Sequence, residues 1–387
     1  MGVAASAVGS DRTTSVLESL RAVVREPYAL AKSLKDEKQR RITGYFCTYA
    51  PEELFDAAGW LPVRLLPDES QAPRVETHLQ SFACSLARSC LGAALSSKFD
   101  FLDAIVFPQT CDTMQNLADI WRESVGAMAH FTFMVPARAD SLYAREFLVA
   151  ELERVKQEIE QLDGQTIPRE KLLESISVFN ENRSAVRKLY ELRRANPETV
   201  RATDFQTAVE AGFFMPKRDH AALVTELLSA LEEHKGDIEA KLKPRIFVAG
   251  GICYPSRIIE LIESMGATVV DDDLCTGWRY VSADTPTDLE PLEALAKRLL
   301  DRVPCPSKHR DDFTRADYLL DKVRTSGAQG VVFHFLKYCD PWAFEYPNLR
   351  ERLQREGLPT LLLETELGAA AQAQVRTRLQ AFIEMLG

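Results

Sequence analysis

The chain has 387 residues, a formal net charge of -10 and a pI near 5.3. Most of a surface this acidic repels a phosphate backbone, so nucleic acid is not an expected partner. No apolar run is long enough to cross a bilayer, and the opening MGVAASAVGS lacks the basic start and apolar stretch of a secretory signal, so the expected setting is cytoplasmic, with no membrane contact. Gly2 and Ser6 fit a loose acylation pattern, but a frayed small-residue tail is the simpler reading. Residues 1–40 form a first, helical segment, with Val16, Leu17, Leu20, Val23 and Val24 at helical spacing. Residues 41–140 change character. A short helix opens at Pro51 and runs into Gly59, Leu61–Leu66 reads as a strand, and Ser85–Lys98 as a helix. Ala104–Phe107 is a strand, Asp112–Val125 a helix and Phe131–Val135 a strand. Such alternation predicts an α/β lobe whose parallel sheet is covered on both faces.

Residues 141–243 turn almost wholly helical. Leu152, Val155, Ile159 and Leu162 make one apolar stripe, and further helices are expected near Pro168–Ala195, Pro197–Gly212 and after Arg218. Stripes of this kind are core packing before they are anything else. Gly236–Lys243 is placed to act as a hinge. A second α/β lobe covers 244–387. Its expected strands are Arg245–Ala249, Thr268–Val270, Gly330–Leu336 and Leu361–Leu363, with helices between them and two helices either side of Cys305. The fold class is α/β: two doubly wound parallel-sheet lobes with a helical segment between.

Eight cysteines mark this pattern, and no two make a CxxC. A reducing compartment argues against disulfides and leaves thiolate ligands or buried thiols. Cys111, Cys275 and Cys339 follow expected strands, Cys253 follows Gly250-Gly251, Cys84 opens a helix, Cys305 stands between two prolines, and Cys47 precedes the Pro51 helix. Ligands of open parallel sheets bind beyond the carboxyl ends of strands, and helix starts favour thiolates and anionic sulfide. Zinc prefers local knuckles and four ligands, neither of which is evident. A shared iron–sulfur assembly fits better. Cys90 falls on another face of the Cys84 helix and reads as a buried thiol, while Cys253 stays open. Phe46, Phe82, Phe107, Trp278, Phe335 and Trp342 lie beside cysteine motifs as candidate apolar walls, each singly more in keeping with core packing. His334 and His309 are candidate proton donors, though His334 reads first as a core histidine and His309 as a solvated loop residue. Asp112 is a helix cap, Arg88 and Arg279 are nearby cations, and none of these residues is assigned a catalytic step.

The segments Gly44-Tyr-Phe-Cys47-Thr-Tyr-Ala-Pro51-Glu-Glu-Leu, Phe82-Ala-Cys84-Ser-Leu-Ala-Arg88-Ser and Gln109-Thr-Cys111-Asp112 resemble the benzoyl-CoA reductase/2-hydroxyacyl-CoA dehydratase family. Asp273-Leu-Cys275-Thr-Gly277-Trp-Arg279, Pro304-Cys305-Pro306, Lys337-Tyr-Cys339-Asp340-Pro341 and Leu362-Leu-Glu364-Thr-Glu366 extend the resemblance across nearly the whole chain. It implies flavodoxin-like lobes with an iron–sulfur centre in the cleft between them. It further implies that Cys84, Cys111 and Cys339 hold a [4Fe-4S] cluster with one open iron site. A second trio, Cys47, Cys275 and Cys305, brings the candidate ligands to six, which suits an [8Fe-9S] double cubane better than one cubane.

The pattern looks most like the smaller catalytic subunit of ATP-dependent benzoyl-CoA reductases. That implies a larger homologous catalytic subunit, a CoA-thioester substrate and separate ATP-hydrolysing iron–sulfur activator subunits. No GxxxxGK[ST] loop occurs in the chain, in keeping with a partner ATPase. The alternatives are a 2-hydroxyacyl-CoA dehydratase subunit with one cluster, a stand-alone double-cubane reductase of small molecules, and a non-enzymatic electron carrier.

Overall fold

A computed structural model describes residues 11–67, 75–126, 128–233, 243–366 and 372–387. The tail with Gly2 and Ser6, and residues 236–242 of the expected hinge, lie outside the described residues. Two four-stranded parallel sheets carry the chain. The first comprises β1 (Ile42–Tyr45), β2 (Leu61–Arg64), β3 (Ala104–Gln109) and β4 (Ala129–Met134) in the order β2-β1-β3-β4. The second comprises β5 (Arg245–Gly250), β6 (Thr268–Asp273), β7 (Gly330–Leu336) and β8 (Thr360–Thr365) in the matching order β6-β5-β7-β8. The winding reverses between β1 and β3, and again between β5 and β7. A crevice opens beyond the carboxyl ends of strands at such a reversal.

Helices α1 (Asp11–Arg25) and α2 (Ala29–Lys38) precede the first sheet. Its connections carry α3 (Glu52–Ala57), α4 (Ser85–Leu95) and α5 (Asp112–Ser124). Four helices then separate the sheets: α6 (Ala144–Asp163), α7 (Arg169–Ala195), α8 (Ala202–Ala211) and α9 (Lys217–Glu232). The second sheet is connected by α10 (Arg257–Ser264), α11 (Trp278–Val281), α12 (Pro291–Asp301), α13 (Arg315–Ser326) and α14 (Asp340–Arg355), and α15 (Gln372–Leu386) follows it. No helix among the described residues is long and apolar enough to cross a membrane.

The cores interlock. Leu17 and Leu20 of α1 join Leu189, Phe205 and Leu227 of the intervening helices. Leu295 and Leu299 of α12 enter the first-lobe core beside Phe131, Phe133 and Leu148, although α12 follows the second lobe's β6 in sequence. Leu336, the last residue of β7, packs with Phe46, Phe107 and Trp121 of the first lobe.

Three local expectations are corrected. The central strand β1 is not foreseen as a strand. It is four residues long and follows Arg40 and Arg41, yet every residue in it is buried. β6 does not stop at Val270 but continues through Asp271, Asp272 and Asp273, all buried. Each carboxylate there has a partner: Arg194 Nε at 2.6 Å from Asp271, Tyr190 Oη at 2.7 Å from Asp272, and Arg279 Nε at 3.0 Å from Asp273. Buried polar groups are tolerated when so satisfied. In α6 the apolar contact ends at Ile159, and Leu162, in the last turn before the Gly164 cap, is 44% exposed.

At the end of β5 the two central strands come together at Gly250, where a Cβ would lie 1.7 Å from the carbonyl oxygen of His334. Gly250→Ala forces β5 and β7 apart and is expected to cost at least about 3 kcal/mol. The shift of the denaturation midpoint measures it, and an unshifted midpoint would contradict this close approach.

Candidate functional site

Cys47 and Cys111 stand two residues beyond β1 and β3, on either side of the first sheet's reversal, and Cys275 two residues beyond β6. Cys339 follows β7 by three residues, Cys84 immediately precedes α4, and Cys305 lies between α12 and α13. All six line one cleft. The rest of the wall is largely apolar, including Phe46, Leu86, Met114 and Trp342. Its polar side chains among the described residues are Arg64, Thr110 and Ser307, with no carboxylate, imidazole or amine. The Ser307 hydroxyl is buried and has no hydrogen-bond partner.

The six thiols are held in two ways. Cys84, Cys111 and Cys339 are the N-cap residues of α4, α5 and α14. Burial raises all three thiols, Cys111 to about 12. The N–H groups of Ala87 and Leu86, of Met114 and of Trp342 act the opposite way on the three in turn, as a helix start should. Tyr338, with φ 63°, takes the left-handed conformation that turns the chain out of β7 into the Cys339 cap.

Cys47, Cys275 and Cys305 are held by side chains instead. Arg302 binds the loop after Cys47, with Nη1 2.6 Å from the Thr48 carbonyl oxygen and Nη2 2.8 Å from Thr48 Oγ1. The Cys305 N–H donates to Tyr49 Oη at 3.4 Å. Arg64 donates from Nη1 to the Cys275 carbonyl oxygen at 2.8 Å and from Nε to the Phe46 carbonyl oxygen at 3.4 Å. Arg279 Nη1 lies 3.6 Å from Cys275 Sγ. Burial nonetheless outweighs the Arg279 charge and holds the Cys275 thiol at about 11. The thiols also feel one another. Cys111 responds to Cys84, Cys47 and Cys305, Cys339 to Cys84, Cys305 and Cys111, and Cys275 to Cys305 and Cys47.

The remaining candidates separate clearly. Cys90 and Cys253 are fully buried in the lobe cores, whereas the six cleft cysteines are partly accessible. Of the candidate walls, Phe46 and Trp342 line the cleft. Phe107 and Phe335 pack behind them, Trp278 packs on Tyr190, and Phe82 is 66% exposed. His309 is exposed and pairs with Asp311 at 2.8 Å. His334 is buried, with Nε2 2.9 Å from Thr365 Oγ1, and burial holds it near 4 and therefore neutral. Asp112 and Arg88 do not line the cleft, and Arg88 Nε donates to the Ala83 carbonyl oxygen at 3.0 Å. Arg64 and Ser307 escape the sequence reading. The one signal for Arg64 is a lone charge inside the apolar run Leu61–Leu66.

Among the described residues, no three His, Cys, Asp or Glu side chains are gathered closely enough to hold a single metal ion. The thiols instead surround a cavity. Soft donors, apolar walls, helix starts and a fixed cation fit an anionic iron–sulfur group.

Two like-wound lobes that present cysteines from both sheets to one cleft define a thiol-lined α/β protein of the two-lobed kind. The sequence model of the family described as 2-hydroxyglutaryl-CoA dehydratase, D-component, matches residues 47–386, and the chain belongs to that family. It is 28% identical to the beta subunit of lactoyl-CoA dehydratase of Anaerotignum propionicum, over 97% of this chain and 100% of the relative. It is likewise 28% identical to a subunit of the benzoyl-CoA reductase of Thauera aromatica, over 93% of this chain and 94% of the relative. Identity to the beta subunit of (R)-2-hydroxyglutaryl-CoA dehydratase of Acidaminococcus fermentans is 26%, over 96% and 99% of the two chains. The relatives are thus subunits of dehydratase and reductase enzymes.

The raised thiols make the metal-free chain sensitive to alkali. Cys111 and Cys275 keep their protons in the folded state, at about 12 and 11, whereas unfolded thiols lose them near 8.5. The stability they contribute is complete below about pH 8.5 and falls as pH rises towards the folded values. Denaturant titrations from pH 7 to 11 are expected to show a steeper loss for the wild-type chain than for Cys111→Ala. Parallel curves would contradict a buried, protonated Cys111.

Proposed function

We propose that this chain is the iron–sulfur subunit of a low-potential, ATP-coupled reductase of the benzoyl-CoA reductase type, carrying an [8Fe-9S] double cubane. The observation that carries the reading is the convergence of Cys47, Cys84, Cys111, Cys275, Cys305 and Cys339 on one cleft. Three of these thiols come from each lobe by sequence, and they divide into a helix-capped trio and a side-chain-held trio. Six ligands suit two joined cubanes. Such a group, when bound, supplies one-electron reduction at potentials down to roughly -700 mV.

The chain's own residues keep that chemistry dry and charged as it needs. Phe46, Leu86, Met114 and Trp342 exclude water from the thiols. Helix starts and buried arginines offset the negative charge that thiolates bring. With no carboxylate or imidazole among the described lining residues, proton transfer to substrate falls to a partner or to water. A larger homologous subunit that holds the CoA thioester, and ATP-hydrolysing activator subunits that deliver electrons, complete this reading. The presence of dehydratase beta subunits among the relatives favours a second reading, a 2-hydroxyacyl-CoA dehydratase subunit. There the trio of Cys84, Cys111 and Cys339 would hold a single [4Fe-4S] cluster.

Anaerobic iron and sulfide quantitation with EPR tests both. About eight irons per chain are expected for the double cubane and about four for the single cluster. Cys305→Ser is expected to lower iron content and change the EPR signal. Wild-type iron content in that variant would eliminate the second trio, and a protein that binds only zinc under strict anaerobiosis would end the iron–sulfur reading.

A further inference from the structure

Arg64 is 1% exposed and lines the cleft. Its guanidinium donates only to main-chain carbonyls, those of Cys275 and Phe46, and stacks over the Phe213 ring at 4.8 Å. Among the described residues no carboxylate forms an ion pair with it. Arg302, Arg298 and Arg193 are also buried without an ion pair among the described residues, but they do not line the cleft, and several other buried cations are paired. Arg279 pairs with Asp273 at 3.0 Å, Lys217 with Glu52 at 3.3 Å, and Arg183 with Glu53. Glu210, a buried carboxyl that senses the Arg64 charge, is pushed to about 8 by burial and is therefore largely protonated at neutral pH. Dipoles of carbonyl groups and a ring face solvate a cation but do not neutralise it. A buried charge left in this way costs free energy until an anion arrives.

We propose that Arg64 is the built-in counter-ion of an anionic occupant of the thiol-lined cleft, placed to hold that occupant's charge at the Cys47–Cys275 end. Its hydrogen bonds also join the main chain beside Cys47 to that of Cys275, so the same side chain ties together two cysteine loops of different lobes. Arg64 is a positioning residue in this role. It offsets the negative charge of the occupant and of deprotonated thiols without itself being a ligand. The inference rests on the iron–sulfur reading for the identity of the anion, and on the geometry of Arg64 alone for the need of one.

The test compares wild type, Arg64→Met and Arg64→Lys, each prepared metal-free and anaerobically reconstituted with iron and sulfide. Arg64→Met removes the two carbonyl hydrogen bonds in both preparations but sheds an uncompensated cation only in the metal-free one, so the metal-free variant is expected to lose less stability than the reconstituted variant. The reconstituted variant is expected to lose stability relative to reconstituted wild type, and its EPR-monitored reduction potential to move to more negative values. Arg64→Lys, which keeps the charge, is expected to restore most of the potential. A purely structural arginine would lower stability equally in both preparations and leave the potential unmoved, and that result would overturn the proposal. If wild type takes up no iron, the iron–sulfur reading fails by itself. The counter-ion role is then decided on the metal-free proteins with added inorganic sulfide: stabilisation of wild type but not of Arg64→Met upholds it, and an equal response of the two overturns it.

Discussion

The cleft depends on buried arginines that cross from one lobe to the other. Arg302, beyond α12, grips both the carbonyl and the hydroxyl of Thr48, the residue after Cys47. Arg64, at the end of β2, reaches the carbonyl of Cys275. Neither bond resembles a surface salt bridge, whose strength is small and screened. Each places a charged donor on a neutral carbonyl in a dry setting, where such bonds are stronger than neutral ones and costly to leave unmade. The loops bearing Cys47 and Cys275 therefore cannot separate without stranding a buried guanidinium. Around them a second layer repeats the same device. Tyr280 donates to Glu52 at 2.9 Å, and Thr285, Asn180 and Glu53 converge on Arg183. Apolar contact across the lobes, such as Leu336 in the first-lobe core, supplies area, and the polar contacts fix the register.

This arrangement treats the two halves of the thiol wall differently. Cys84, Cys111 and Cys339 meet mainly the partial charge of helix starts, with the Arg88 charge adding to it at Cys84. Cys275 meets the full charge of Arg279 at hydrogen-bonding distance, and Arg64 stands close behind it. A partial charge fades within a turn, whereas a fixed guanidinium in a low-dielectric wall acts further. An occupant spanning the cleft would therefore sit in a graded field, more positive at the Cys275 end.

Much of this was readable from residue order, and the exceptions share a cause. Strand–helix alternation foretold both sheets, and the positions of Cys111, Cys275 and Cys339 after strands foretold that they face one crevice. What stayed hidden depends on partners distant in sequence. β1 is too short to show a period, and it is a strand because β2 and β3 flank it on both sides. The Asp271–Asp273 run looks like a loop until Arg194 and Tyr190 arrive from α7. α12 follows the second lobe's strands in order, yet packs its leucines on the first. Arg64 is one charge in an apolar run, meaningful only once the cleft is known to offer it no carboxylate partner among the described residues.

That last feature bears on how the work of such an enzyme is divided. A site that both delivers electrons and protonates a substrate needs titratable groups near its reacting atoms, with values matched to the task. Here the titratable side chains nearest the thiols face away from the cleft or are spent. Lys308 donates to the Val135 carbonyl at 2.8 Å, and Asp273 is committed to Arg279. His334 is buried on Thr365. The unpartnered Ser307 hydroxyl can donate a hydrogen bond but cannot serve as an acid at neutral pH. A wall built this way suits storage of charge more than transfer of protons. On the function proposed here, the acid–base chemistry belongs to the partner subunit, and the two-lobed cleft of this chain is specialised to keep a strongly reducing group dry, anchored and electrostatically compensated.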